Sequence, residues 1–98
     1  MFIAKEHKTL DAKLLLAVID ADLKGKKIIE GDKILDFDCD FFRGKEKTGE
    51  EVVALAKKAS YLNIAGKAAV ELLRKEGLVD SVMKIDNVEY AQAIIIRD

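Results

Sequence analysis

Thr48-Gly49-Glu50-Glu51-Val52-Val53-Ala54-Leu55-Ala56-Lys57-Lys58-Ala59 and Asn63-Ile64-Ala65-Gly66-Lys67-Ala68-Ala69-Val70-Glu71-Leu72-Leu73-Arg74-Lys75-Glu76-Gly77 form the stretch on which the fold turns. Thr48 and Glu51 stand three apart, the spacing of a capping box, in which hydroxyl and carboxylate each satisfy a free backbone N–H. Val52, Leu55, Ala56 and Ala59 then recur at helical spacing, which predicts a first helix with one buried face. The chain is read as turning over Ser60 to Asn63. Asn63 is read as opening a second helix, with Ala65, Ala68, Ala69, Leu72 and Leu73 as its stripe and Gly77 as its terminating glycine.

Strands flank this helical block on both sides. Phe2 to His7 reads as a first strand, paired in a hairpin with Leu14-Leu15-Leu16-Ala17-Val18-Ile19, a run apolar on both faces and too short for an ordinary helix. Asp20 to Gly25 looks like one helical turn capped by Asp20. Lys26 to Glu30, a turn at Gly31-Asp32, and a strand over Lys33 to Asp38 follow. At the other end, Asp86-Asn87 separates Val82–Ile85 from Val88–Arg97 in a terminal hairpin. Strands, then two helices, then strands predict an α+β fold with the helices on one face of a largely antiparallel sheet. The runs Leu14 to Ile19 and Ala93 to Ile96 do not alternate as strands with one wet face do. Either the sheet curls to cover itself, or its far face is buried in a homodimer.

The 98 residues suit one domain, 1–98. They carry 17 Lys plus Arg against 18 Asp plus Glu, which excludes both a disordered chain and a strongly basic nucleic-acid arm; no DNA-binding signature is present. Asn, Gln, Cys and Met together number six, a composition that leans toward a heat-adapted cytosol. The longest apolar run has six residues, far short of a membrane span, and Met1 to Leu10 carries four charged or titratable side chains where a signal peptide would be apolar. A cytoplasmic location is therefore expected.

Chemistry is sparse. Asp36, Asp38 and Asp40 imitate the start of a calcium loop, but Phe41 and Lys47 stand where that loop needs Gly and Glu. Alternation explains the stretch better, with Phe37, Cys39 and Phe41 inward and the three Asp in water. Cys39 and the single His7 are not neighbours in sequence, and neither has the companions of a catalytic thiol or a zinc site. No catalytic residue, metal or cofactor is expected. Gly66-Lys67 lacks the other glycines of a phosphate loop, although a helix start there would attract anions.

Phe41-Phe42-Arg43-Gly44-Lys45-Glu46-Lys47 mixes aromatic and basic groups as single-stranded RNA contacts do. Residues 41–77 hold eight basic and five acidic groups, and residues 20–40 hold four and seven. A non-catalytic binding module is thus expected. Its contact residues would be Phe42, Arg43, Lys45, Asn63, Gly66 and Lys67, with Tyr90 and Gln92 as further binding candidates, and its leading partner class RNA or the ribosome. A protein–protein adaptor or homodimer using the apolar sheet face or the terminal strand is the alternative, abolished by a lysine at Ile95. A small-molecule enzyme is the third reading and requires a pocket joining Asn63, Gln92 and Tyr90 or His7.

Met1-Phe2-Ile3-Ala4-Lys5, the Leu-x-Gly-Lys of Leu23 to Lys26, Phe42-Arg43-Gly44, Asn63 to Ala69, Gly77-Leu78-Val79 and Tyr90-Ala91-Gln92-Ala93-Ile94 together cover nearly the whole chain. In their order the chain resembles the archaeal family called domain of unknown function 424. The resemblance implies an archaeal cytosolic protein with an α+β two-layer sandwich, and it implies no activity. It also implies a His at the position held here by Tyr90, so this chain lacks a His-based acid or base there.

Overall fold

Strand β1 (Phe2–Lys8) returns through the turn Thr9–Lys13 as β2 (Leu14–Asp20), antiparallel and in register from Phe2↔Asp20 to Lys8↔Leu14. The computed structural model describes residues 1–96. The Thr9 side chain ties this turn by accepting from the Lys13 N–H at 3.0 Å. A single 3-10 turn over Ala21–Leu23 leads into a hairpin of β3 (Lys27–Glu30) and β4 (Lys33–Asp36). A second 3-10 turn, Asp40–Phe42, precedes the short β5 (Lys45–Lys47). Helix α1 (Gly49–Lys58), β6 (Tyr61–Ala65) and α2 (Lys67–Lys75) follow. The chain closes with β7 (Met83–Ile85) and β8 (Val88–Ile94).

Six strands form one sheet in the order β5-β1-β2-β6-β8-β7, parallel only between β2 and β6. The α+β expectation holds. Both helices pack on one face, around Leu16, Val18, Leu62, Ile64, Val52, Ala56, Ala69, Val70 and Leu73. On the other face the β3–β4 hairpin and the loop after it cover Ile3, Ile19 and Ala65 with Leu35 and Phe37. The doubly apolar Leu14–Ile19 run is therefore a central strand, and the chain itself buries Leu16 to Ile19 on both faces.

Local signals account for most elements. The Thr48–Glu51 capping box is formed in both directions, at 3.2 Å and 2.9 Å. Gly77, at φ 75°, ends α2 with its N–H on the Arg74 carbonyl and that of Leu78 on Leu73, the pattern of a left-handed glycine cap. Asp86 and Asn87 both take positive φ, as a two-residue hairpin turn requires.

Three expectations are corrected. Residues 61–63 do not turn; they belong to β6, pairing with β2 and β8, and α2 starts four residues after Asn63. Asp20 does not cap the turn that follows it; its carboxylate reaches α2 instead. The alternating strand stops at Asp36, because the Asp36 side chain accepts the Asp38 N–H at 2.8 Å and bends the backbone. Phe37 is buried as expected, whereas Cys39 and Phe41 are half-buried. The strand expected over Val88–Arg97 ends at Ile94, and its last expected residue, Arg97, lies outside the described residues.

Candidate functional site

The register of four adjacent strands puts three rows of side chains on the face opposite the helices. Ile3, Ile19, Ala65 and Tyr90 form the row beneath the β3–β4 hairpin. Lys5, Ala17, Asn63 and Gln92 form the next, and His7, Leu15, Tyr61 and Ile94 the last. The loop carrying Phe41 shields the β1 end of these two rows. The His7 ring stacks on Phe41 at 4.7 Å and donates from Nε2 to its carbonyl at 2.9 Å, and Lys5 Nζ donates to the Asp40 carbonyl. What stays open is the β6–β8 side, where Leu15, Tyr61, Asn63, Gln92 and Ile94 line one wall of a cleft of about 690 Å³ that wraps the β8 edge, its other wall being Gly77, Leu78 and Asp80 after α2.

Asn63 is the polar centre of this surface. Its Oδ1 accepts the Tyr90 hydroxyl at 2.6 Å and the Gln92 amide at 2.9 Å. Burial raises the Tyr90 phenol above its ordinary value, so it stays a donor. The Asn63 amide nitrogen and the Gln92 carbonyl oxygen are left without partners among the described residues. A donor and an acceptor side by side on an apolar ground match a peptide group better than a lone charge. Of the pocket that a small-molecule enzyme would need, Asn63 and Gln92 line the cleft, Tyr90 joins them through its bond to Asn63 without lining it, and His7 is engaged with Phe41.

Of the other expected contact residues, Phe42 and Arg43 are engaged within the chain. The Phe42 ring packs in the second core cluster, edge-on to Phe37 at 5.1 Å. Arg43 is clamped by Asp38 at 3.1 Å and Asp40 at 3.0 Å, which hold its guanidinium more firmly charged than usual. The three aspartates that imitate a calcium loop thus form a turn and an arginine clamp. Among the described residues, no group of three His, Cys, Asp or Glu side chains is placed to hold a metal ion. Lys45 is exposed on β5 and Lys67 is exposed at the start of α2.

The helix start expected at Asn63 lies at Gly66, and its anion position is filled from within. Asp20 accepts the Ala69 N–H at 2.7 Å and the Ala68 N–H at 3.1 Å. Gly66, at φ 103°, is what lets the carboxylate in, since a β-carbon there would lie 2.5 Å and 2.7 Å from its oxygens. Burial raises the Asp20 carboxyl above its ordinary value, and the two amide bonds partly offset this.

Sequence reasoning missed Tyr61, Leu15 and Ile94 as parts of one surface. The alternation Tyr61-Leu62-Asn63-Ile64 was the available signal, masked by the habit of Asn and Gly to mark helix starts.

The edges of the sheet differ. At one, all of β5 is charged (Lys45-Glu46-Lys47), a common guard against strand addition. At the other, β7 covers only Val88 to Tyr90, leaving the rest of β8 without a neighbour on that side among the described residues. Ala91 to Ile96 carries no charge, and Ile94 and Ile96 are 73% and 86% exposed. Ile95 packs on the helix layer, so a lysine there would disturb the core; Ile94 is the position that tests the edge.

A family model described as a protein of unknown function, DUF424, matches residues 7–96. No curated protein matches the chain. A crystal structure of an uncharacterized conserved protein from Methanopyrus kandleri is similar at 20% identity over 99% of this chain and 94% of that one, with a TM-score of 0.79; this likeness shows a shared fold. No helix among the described residues is long and apolar enough to cross a membrane.

Proposed function

The chain belongs to the DUF424 family, a family of unknown function, and from that premise we propose that it is a non-catalytic binding module which takes an extended segment of a protein partner along β8. The contrast between its two edges carries this reading: one is fully charged, the other apolar and bare. Strand addition draws affinity from main-chain hydrogen bonds and specificity from pockets for alternate side chains. Gln92 and Ile94 offer the first, and the cleft beside Leu15, Tyr61 and Asn63 offers the second.

The alternative of an RNA or ribosome contact draws on Lys45 and Lys67, the two expected basic contacts that remain exposed. Its other supports are weaker, because Arg43 is already paired with Asp38 and Asp40 and the α2 start already holds Asp20. Salt separates the two readings. Peptides selected from a displayed library should bind with affinity that changes little between 50 mM and 500 mM salt, and Ile94→Lys should abolish capture. Co-sedimentation with ribosomal subunits that vanishes at high salt would instead support the polyanion reading.

A further inference from the structure

We infer that the segment β8 takes up is β8 of a second copy, paired antiparallel about a two-fold axis at Ala93. This rests on the binding-module reading and names its partner. The Ile95 N–H bonds to the Ser60 carbonyl and the Gly66 N–H to the Glu89 carbonyl, so the odd-numbered residues of this strand turn their backbone groups inward to β6. Even-numbered residues turn theirs outward. Those of Val88 and Tyr90 meet β7, which leaves the N–H and C=O of Gln92 and Ile94 as the free set among the described residues.

That set is complementary to itself. With Ala93 opposite Ala93 of the second copy, Gln92 stands opposite Ile94 of the second copy and Ile94 opposite its Gln92. Each pair exchanges two hydrogen bonds, and all four outward groups of each copy are used. The residue on the axis falls in the closely spaced, non-hydrogen-bonded position, with Cα atoms about 4.5 Å apart, which a methyl side chain permits. An interface of this kind, with the same patch on both sides, is the commonest in homo-oligomers. The paired strands themselves bring no like charges together, since Ala91 to Ile96 is uncharged; Asp80 lines the cleft beside them.

The pairing has a defined length. Beyond Ile94 the line of the strand runs onto Met83 of the second copy, which already occupies its Tyr90. Ile96 must turn aside there, and it comes beside Met83, itself 54% exposed. Ile94, Ile96 and Met83 together present roughly 200 Å² per copy, taking about 100 Å² for a fully exposed aliphatic side chain. Even with the strand backbone added, the total stays below the roughly 1,200 Å² of stable standard interfaces. The dimer is therefore weak and exchanging, with a dissociation constant in the micromolar range or above. A permanent globular partner would need far more surface than this edge offers.

Sedimentation equilibrium of the full chain from micromolar to near-millimolar concentration, with amide hydrogen exchange on the same samples, tests the inference. A monomer–dimer equilibrium is expected, with the Gln92 and Ile94 amides gaining protection as concentration rises and the Ala93 amide protected throughout. Ile94→Pro removes only an outward N–H and should weaken association at least tenfold; Ile94→Lys serves the same end should the proline variant fail to fold. A dimer that persists in a folded Ile94 variant, or whose protection falls elsewhere, overturns the inference. A monomer at every concentration that still takes selected peptides at Gln92 and Ile94 overturns self-pairing and leaves the module reading. A monomer that takes neither overturns both.

Discussion

Replacing Gly66 by Ala sets the β-carbon against the carboxylate that caps α2. The backbone at φ 103° and ψ 144° is close to a region that only glycine occupies freely, which costs about 1–3 kcal/mol for any other residue. The added atom would also crowd both Asp20 oxygens, at 2.5 Å and 2.7 Å, so the carboxylate must swing out and release the Ala68 and Ala69 amides. Loss of a side-chain cap costs about 1 kcal/mol, and up to about 2. The two effects sum to about 2–5 kcal/mol, a large part of the 5–15 kcal/mol that stabilises a typical domain. Urea unfolding followed by circular dichroism should show the midpoint falling by about 1–3 M at a slope of about 1.5–2 kcal/mol/M. Asp20→Ala alone should cost about 1–2 kcal/mol. In the double variant Gly66→Ala should then cost only its backbone strain, giving a coupling of about 1–2 kcal/mol. A Gly66→Ala cost under about 1 kcal/mol, or strict additivity with Asp20→Ala, would refute the account.

Proline at Ala93 removes an inward N–H from the β6–β8 ladder and should cost about 3 kcal/mol or more, whereas proline at Ile94 should cost under about 1 kcal/mol; equal costs in chemical unfolding would contradict the assigned backbone directions. Phe42→Ala should destabilise by about 2–4 kcal/mol while leaving peptide capture unchanged, because the ring belongs to the core; lost binding in a folded variant would restore Phe42 as a contact. Gly44→Ala drives a β-carbon onto the Ala4 carbonyl and should part β5 from β1, seen as faster amide exchange at Lys45 and Lys47. Two carboxyls act oppositely with pH. Glu51, lowered by its bonds to Thr48, stabilises above its unfolded value, and that contribution is lost as pH falls through its folded one. Asp20 is raised, so stability is greater at low pH and part of it is lost as pH climbs through the folded value, while the two amide bonds to the carboxylate keep the cap in place; Asp20→Asn should flatten that part of the stability–pH curve.

Much of the fold could be read from neighbours in sequence. The capping box, the Gly77 terminator and the Asp86-Asn87 turn all act within a few residues, where local spacing is informative. What escaped reading depends on distant partners. Strand β6 is five residues long and interrupted by Asn63, so only its pairing with β2 and β8 identifies it. Asp20 resembles a cap for the next turn, and nothing nearby reveals that it serves a helix 48 residues away. The candidate site was half legible for the same reason. Asn63, Tyr90 and Gln92 were named from sequence and meet in space, but the reason they meet is a strand register. Phe42 and Arg43 look like contacts in a linear reading because the core and the aspartates that claim them come from other turns of the chain.

The parallel pairing at the centre of the sheet has a consequence during synthesis. Leu15 meets Tyr61, so β2 waits for a strand that leaves the ribosome 46 residues later. At about 5–20 residues per second that wait is roughly 2–10 s. Meanwhile β1 and β2 can close their hairpin, but the second edge of the most apolar strand stays unpaired, with neither helix yet made to cover it. The nascent chain is therefore most vulnerable to misassociation between the emergence of Asp20 and that of Ala65, and slow codons or heat stress within that interval would harm yield more than the same delay after α2.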